Sequence, residues 1–234
     1  MDDAALDTAP PGYRAHMRLL EGLLNLVAPA SCPACGANAD PAWCAPCLRA
    51  LGDAALEDRG LVDLADGVRA AAAYRYEGVV RDTVLAVKVR GQHAVLAAMG
   101  SLLRARLGLG SPGGTVATTW VPASRTGRRR RGIDVAQRLA GRSAVRLLRR
   151  VHHTSEQKHL DAAARHAAMQ QAFTVTRRPP PAVIVIDDVR TTGATATAAG
   201  IALREAGARR ILVATFAAVQ DERLRPAGRG ATGG

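Results

Sequence analysis

Aromatic residues are scarce in this sequence, which has two tryptophans, three tyrosines and two phenylalanines among 234 residues. Proteins that bind single-stranded nucleic acid tightly and without sequence preference stack its bases on aromatic side chains. Seven rings are few for such a surface. The composition therefore argues against tight single-strand binding by base stacking, and leaves binding through phosphate groups open.

Long apolar runs are missing as well. The apolar residues at 19–27 are interrupted by Glu21 and Asn25, and the first residues, Met1, Asp2 and Asp3, lack the basic start of a secretory signal. A membrane-spanning helix needs about 20 consecutive and mainly apolar residues. We therefore expect neither a signal peptide nor a membrane span, and a cytoplasmic protein.

Acidic residues are outnumbered, because 20 aspartates and glutamates face 32 lysines and arginines, which gives a net charge of +12. Such an excess attracts polyanions, for example nucleic acid, pyrophosphate or an acidic partner protein. An arginine-rich and alanine-rich composition would give the same net charge without any anionic partner. The places where positive charges cluster are therefore more informative than their sum.

Only four cysteines are present, and all lie within residues 32–47 as two CxxC pairs. Two such pairs supply four thiolates for a tetrahedral zinc ion, and four cysteine ligands leave no open position for catalysis. Disulfides or a catalytic CxxC are the alternatives, but a reducing cytosol disfavours the first and the doubling of the motif disfavours the second. We therefore predict a structural, zinc-ribbon-like site held by Cys32, Cys35, Cys44 and Cys47.

A short β-branched run at residues 182–186 ends at two adjacent carboxylates, Asp187 and Asp188. Such a run indicates a strand that is buried on both faces, as strands of parallel sheets are. A helical pattern at 196–205, stopped by Gly207, and a second β-branched run at 211–216 complete a βαβ unit. We therefore predict an α/β protein with a parallel sheet, whose ligand lies at the carboxyl ends of the strands.

A loop of small hydroxylated residues follows the two carboxylates. Thr191, Thr192 and Thr195 offer hydroxyl donors, and Gly193 lets the backbone approach a ligand closely. Beside a helix N-terminus these groups favour a phosphate, whereas the carboxylates suit sugar hydroxyls or a metal. A sugar phosphate satisfies both halves. A glycine- and threonine-rich turn with an acidic cap is the alternative, and a P-loop is excluded because no Gly-Lys-Ser/Thr motif follows.

Residues 184–195 resemble the phosphoribosyl-pyrophosphate (PRPP) loop of type I phosphoribosyltransferases. The resemblance implies a type I phosphoribosyltransferase-like parallel sheet and PRPP bound together with Mg²⁺. It implies that Asp187 and Asp188 bind the ribose 2′- and 3′-hydroxyls. It also implies that the 5-phosphate is surrounded by Arg190, Thr191, Thr192, Gly193, Ala194 and Thr195.

An arginine run follows the strand predicted at residues 115–121. Guanidinium groups bind phosphate oxygens bidentately, and the corresponding loop of the resembled family binds pyrophosphate. The run is also compatible with sequence-independent contacts to nucleic-acid phosphates or with a solvated basic loop. Lys88, in the last turn of a helix predicted at 79–88, either joins the anion site or only compensates the helix dipole. The predicted anion-binding residues are Arg125, Arg128, Arg129, Arg130, Arg131 and Lys88.

The remaining patterns complete the α/β order. We predict an edge strand at 69–76 and helices at 93–107 and 133–148, besides an amphipathic helix at 13–27. Residues 152–173 are polar and contain four histidines, where phosphoribosyltransferases have a mobile loop that closes over the reacting centre. The histidines are candidates for acid–base groups, metal ligands or solvent-facing side chains.

The order of these motifs is similar to that of the ComF family of competence-associated phosphoribosyltransferase-like proteins, over about residues 20–220. The resemblance implies a role in DNA uptake, with single-stranded DNA and competence-machinery proteins as partners. Ile133, Asp134 and Val135 stand where that family usually has an aromatic residue followed by Asn-Gln. The motifs, besides the two CxxC pairs and the PRPP loop, are Tyr74-x-Tyr76-Glu77-Gly78, Lys88 and Gly91, Val121-Pro122, Arg131-Gly132, Gln157-x-x-Leu160, Arg165 and Phe173.

The motifs divide the chain into three predicted parts. Residues 13–57 hold the amphipathic helix and the zinc-ribbon-like segment, 66–220 form the phosphoribosyltransferase-like domain, and 221–234 are a flexible tail. Two functions remain open at this point. One is a phosphoribosyltransferase with an unknown acceptor, and the other is a non-catalytic single-stranded-DNA-binding competence factor that uses PRPP as a regulatory ligand.

Overall fold

A computed structural model of the chain describes residues 31–39, 42–64, 67–110, 116–151 and 172–220. Three predictions fall outside this part of the chain: the helix at 13–27, the histidine-containing segment at 152–171 and the tail at 221–234. Among the described residues, no helix is both long and apolar enough to cross a membrane.

Strands and helices alternate along much of the described chain, which is a mixed α/β protein. The strands are β1 (Val62–Asp63), β2 (Arg69–Arg75), β3 (Val116–Trp120), β4 (Leu148–Arg150), β5 (Phe173–Val175), β6 (Ala182–Arg190) and β7 (Arg210–Ala218). The helices are α1 (Ala45–Asp53), α2 (Gly78–Val89), α3 (Leu96–Leu107), α4 (Arg125–Arg131), α5 (Val135–Ala140) and α6 (Ala194–Glu205), with 3₁₀ turns at Glu57–Gly60 and His93–Val95.

The central sheet has the strand order β1-β2-β7-β6-β3. Its neighbours are parallel except for β1, which runs antiparallel to β2. β4 and β5 form a separate antiparallel pair. Because β2, β7, β6 and β3 run in the same direction, their carboxyl ends lie along one edge of the sheet. Asp187 and Asp188, near the end of β6, therefore lie at that edge.

The sheet is covered on both faces, which explains the continuous apolar run of β6. Val183 and Val185 pack in a cluster with α6, whereas Ile186 packs in a second cluster with α2, α3 and α5. Small residues let α6 approach the sheet closely. A Cβ on Gly200 would lie 2.5 Å from Cγ2 of Val68, so this position admits no side chain without a shift of the helix.

Two sequence predictions near the sheet edge are wrong. The helix predicted at 133–148 is only α5, because the chain turns at Gly141, whose φ of 84° is in the left-handed region, and continues into β4. The arginine run is not a loop but α4. Ser124 caps it by accepting a hydrogen bond from the Gly127 N–H at 3.0 Å, and Gly132, with φ of 73°, ends it.

Most other predicted elements are confirmed with small changes at their ends. The helix predicted at 79–88 is α2, that at 93–107 is a 3₁₀ turn followed by α3, and the βαβ unit is formed by β6, α6 and β7. β2 was predicted as an edge strand, but the short β1 pairs with its first residues. The largest extension is in β6, which continues past the two aspartates to Arg190.

Candidate functional site

The four cysteines form a compact cluster at the start of the described chain. Their sulfur atoms all lie within 4.8 Å of one another, and Sγ of Cys35 is 3.6 Å from Sγ of Cys44. Zinc–sulfur bonds of about 2.3 Å in a tetrahedron place sulfur atoms about 3.8 Å apart. The predicted cluster of four cysteines is confirmed, and it could hold a metal such as zinc.

Local backbone structure holds the two CxxC pairs in place. The first pair lies in a turn in which the Gly36 N–H donates to the Cys32 carbonyl at 2.9 Å, and Gly36 adopts a φ of 78°. The second pair begins α1, with Cys44 as its N-cap. Between them, the buried Trp43 donates from its indole Nε1 to Oγ1 of Thr83 on α2 at 3.0 Å. The cluster is therefore fixed to the same core as the sheet.

The thiols of the cluster differ in acidity. Burial raises the pKa of Cys32, but backbone N–H groups of Cys35, Cys44 and Ala34 outweigh it and lower that pKa to about 6. For Cys47, burial and then the hydrogen bonds with the neighbouring thiols all raise the pKa. Four thiolates this close together repel one another. A bound metal ion would offset this repulsion and keep all four thiols deprotonated.

A cavity of about 340 Å³ lies at the carboxyl ends of β3 and β6, and we call it the carboxylate cavity. It joins the predicted acidic pair to basic groups from separate elements and to a hydroxyl group in the first turn of α6. The lining side chains with polar groups are Asp187, Asp188, Lys88, Arg131, Arg150, Asp134, Ser124 and Thr195. Acids, bases and hydroxyls therefore converge on one space, as in a site for a ligand that has both hydroxyl and anionic groups.

The acidic pair is unevenly charged. Asp188 forms an ion pair with Lys88, with 2.9 Å between Oδ2 and Nζ. Burial and then the charge of Asp188 raise the pKa of Asp187 to about 8, although the charges of Lys88 and Arg150 act against them. Near neutral pH, Asp187 is therefore mainly protonated. The two side chains thus offer a proton donor and an acceptor next to each other.

The loop after β6 provides only part of the predicted phosphate site in this cavity. Thr195, in the first turn of α6, lines the cavity, and Gly193 is buried with a φ of 81°. Thr191 and Thr192 are exposed and are not among the described lining residues. The N–H groups of the first turn of α6 favour an anion near Thr195.

The structure separates the predicted anion-binding arginines into groups. Arg131 reaches the carboxylate cavity, and its buried Nε forms no hydrogen bond among the described residues. Arg125 and Arg128 line a neighbouring cavity, whereas Arg129 and Arg130 are exposed and belong to neither lining. Lys88 does lie in the carboxylate cavity.

Arg190, predicted to contact the phosphate, lies elsewhere. It is buried at the end of β6 and lines a cleft of about 360 Å³ together with Glu57, Asp58 and Arg75. β6 extends to this residue, so Arg190 belongs to the strand and not to the loop that precedes α6. The structure therefore does not bring Arg190 together with Thr195.

Three polar residues of the cavity were not predicted as site residues: Arg150, Asp134 and Ser124. Arg150 lies on β4, donates from Nε to the Pro122 carbonyl at 3.1 Å, and stacks on the Phe173 ring at 4.7 Å. Burial lowers the pKa of Arg150, and the charges of Asp187 and Asp134 act against that shift. No strand was predicted here, because the helix predicted at 133–148 ran up to the first residue of β4 and left Arg150 without an assigned element.

Asp134 organises the wall between β3 and α5. It is the N-cap of α5, and its Oδ2 accepts a hydrogen bond from the Ala123 N–H at 3.0 Å. The unusual acidic residue after Arg131-Gly132 was the available sequence signal for this role.

No protein-family model matches the chain, and no curated protein is significantly similar to it.

Proposed function

We propose that the protein binds PRPP in the carboxylate cavity, as a type I phosphoribosyltransferase-like protein of the ComF kind. The observation that supports this most is the convergence of the acidic pair with Lys88, Arg131 and Arg150 at the carboxyl edge of a mostly parallel sheet. Neither a simple anion nor a simple sugar would use both kinds of group. A ribose that carries phosphate at one end and pyrophosphate at the other uses both.

Each part of PRPP meets its own group in this proposal. Asp187 and Asp188 bind the ribose hydroxyls, and Thr195 with the start of α6 binds the 5-phosphate. Arg131, Arg150 and Lys88 bind the pyrophosphate, and Mg²⁺ bound together with PRPP would neutralise part of its negative charge. Lys88 has to exchange part of its contact with Asp188 for a pyrophosphate oxygen, so ligand binding and breakage of this ion pair are linked.

The same groups suit a displacement at the anomeric carbon. The bond from ribose C1 to the pyrophosphate oxygen breaks, and its electron pair leaves with pyrophosphate while the acceptor forms the new bond to C1. Arg131 and Arg150 stabilise the leaving negative charge. The acceptor is not specified by this arrangement, and the competence role is the one that the ComF resemblance implies.

Zinc in the four-cysteine cluster is the second part of the proposal. A fully thiolate site has no position for substrate, so the metal is structural and fixes the segment around Trp43 against α2. Mass spectrometry of the native protein and total metal analysis should give one zinc per chain. Cys32→Ser should lose this zinc and lower the melting temperature. One zinc retained in the Cys32→Ser protein would contradict the assignment.

Protection against heating tests PRPP binding. PRPP should raise the melting temperature of the native protein with Mg²⁺ and much less without it. The Asp187→Asn/Asp188→Asn variant should lose this shift, whereas Asp53→Asn, a neutralisation at an exposed residue of α1, should keep it. An unchanged rise in melting temperature in the double variant would contradict the proposal. Release of pyrophosphate on addition of bases, ammonia or amines would then separate a transferase from a PRPP-binding protein.

A second candidate function rests on the exposure of Arg128, Arg129 and Arg130 on α4. A basic helix of this kind suits a non-catalytic competence factor that binds single-stranded DNA and uses PRPP as a regulatory ligand. Its affinity for single-stranded DNA should fall steeply with salt and with the loss of these arginines. Absence of binding at low salt would exclude this candidate.

A further inference from the structure

A second cavity, of about 400 Å³, adjoins the carboxylate cavity and is dominated by arginine. We call it the arginine cleft. The two spaces share lining residues at Pro122, Ala123, Asp134 and Arg150. The five arginines that line the cleft are Arg125, Arg128, Arg146, Arg149 and Arg150.

The arginines come from two facing walls. Arg125 and Arg128, three residues apart and hence on one side of a helix, come from α4, and the other three come from β4 and the residues just before it. Of the described residues in the lining, only Asp134 is acidic. Its oxygens already accept hydrogen bonds from the Ala123 and Gln137 N–H groups. Among the described residues, the cleft therefore keeps a large excess of positive charge, which an anionic ligand would neutralise.

The aromatic rings beside the cleft are already covered. The guanidinium of Arg146 lies over Trp120 at 5.8 Å, and that of Arg150 lies over Phe173 at 4.7 Å. The described lining contains no aromatic residue, so a nucleic-acid base has no ring to stack on. The same stacking restrains Arg146 and Arg150 and makes the geometry of the guanidinium groups suitable for phosphate oxygens.

We propose that the arginine cleft is a second anion site, which binds a short oligophosphate chain. Such a chain, either inorganic or part of a nucleoside triphosphate, carries several negative charges in a length that two facing walls can contact together. A longer nucleic-acid strand would instead need a continuous track and, for tight binding, aromatic surfaces. Because Arg150 lines both spaces, an anion in the cleft also changes the positive charge available to Asp187.

Calorimetric titration of the native full-length protein with inorganic tripolyphosphate tests the proposal directly. Arg125→Gln/Arg128→Gln should weaken this binding at least about tenfold, because charge-assisted hydrogen bonds are lost. Arg129→Gln/Arg130→Gln is the matched control. It removes the same charge from the same helix but from residues outside the cleft, so it should change the affinity less than about twofold. Equal losses in the two variants would overturn the proposal.

Three further titrations distinguish this site from the others. Asp187→Asn/Asp188→Asn should change tripolyphosphate binding less than about twofold, even if the proposed PRPP site is wrong, whereas clearly tighter binding would place the anion beside these acids in the carboxylate cavity and overturn the proposal. Tighter binding of ATP than of tripolyphosphate would identify a nucleoside triphosphate as the ligand of the cleft. Equal binding of the two would show that the cleft recognises the oligophosphate chain alone. Binding of single-stranded DNA without binding of tripolyphosphate would make the surface a nucleic-acid site and contradict the proposal.

Discussion

The carboxylate cavity and the arginine cleft share a wall, but their charges are arranged differently. In the cavity, Lys88 is already paired with Asp188, and Arg150 faces the field of Asp187. In the cleft, five arginines face one carboxylate whose oxygens accept backbone hydrogen bonds. A ligand of the cavity has to replace internal contacts with equally good ones, so this site selects by shape and by hydroxyl pattern. In the cleft, positive charges far outnumber the one described carboxylate, so this site selects mainly by charge.

The pH dependence of ligand binding should separate the two sites most strongly. A protonated Asp187 has one acceptor fewer for ribose hydroxyls, and its pKa is about 8. PRPP affinity, measured with Mg²⁺ by calorimetry, should therefore fall as the pH drops below about 8, by at most about tenfold for each pH unit, and should level off once Asp187 is fully protonated. In Asp187→Asn this slope should disappear and only the titration of the ligand phosphates should remain. A slope as steep in that variant as in the native protein would contradict the assignment.

The free energy of unfolding should also depend on pH because of Asp187, and it should decrease as the pH rises. The pKa of Asp187 is raised by folding, so the native state keeps a proton that the unfolded chain loses above about pH 4. The contribution of this group to stability is therefore complete below about pH 4 and is lost as the pH rises towards 8, by at most about 1.4 kcal/mol per unit. Urea unfolding at several pH values should show Asp187→Asn gaining on the native protein over that range.

Removal of Arg150, which lines both spaces, should weaken ligand binding at both sites. Arg150→Met keeps an apolar chain against Phe173 but removes the guanidinium, so both PRPP and tripolyphosphate should bind about thirtyfold more weakly. The variant should also raise the pKa of Asp187 further, because a compensating charge is lost. Parallel titrations of both ligands are the measurement. An effect on one ligand alone would mean that Arg150 serves a single site.

Loss of Lys88 should affect one site only. Lys88→Met removes the partner of Asp188 and a group proposed for pyrophosphate, so PRPP should bind about tenfold more weakly while tripolyphosphate binds as before. Lys88→Arg should recover part of the affinity, because it restores the charge. A purely structural role for Lys88 would instead lower the melting temperature and leave the affinity of the folded protein unchanged.

The sequence predicted the acidic half of the carboxylate cavity better than its basic half. Asp187 and Asp188 follow an apolar strand, and periodicity together with turn residues indicates where such a strand ends. The basic half depends on which way side chains point on α4 and on the existence of β4. A loop was predicted in place of α4, and the helix predicted at 133–148 ran through the turn at Gly141 that precedes β4. Arg150 therefore had no predicted position near the acids.

Arg190 illustrates a different limit. The sequence pattern placed it in the phosphate loop, but β6 continues by pairing with β7 as far as Ala218, which keeps Arg190 in the strand. Local composition does not encode how far a neighbouring strand extends, because that length depends on pairing between distant segments. The four-cysteine cluster was predictable for the opposite reason, since its ligands are close in sequence.

Gly127→Ala should have the smallest effect, and it sharpens the contrast between the two sides of α4. A Cβ at this position would lie 2.7 Å from Nη2 of Arg131, so the methyl group should displace the guanidinium that reaches the carboxylate cavity. We expect a two- to fivefold loss of PRPP affinity, since alanine also favours the helix and keeps every charge. Tripolyphosphate binding through Arg125 and Arg128 should be unchanged. If both ligands weaken equally, the substitution has moved α4 as a whole, and the two sites depend on one helix position rather than on separate side chains.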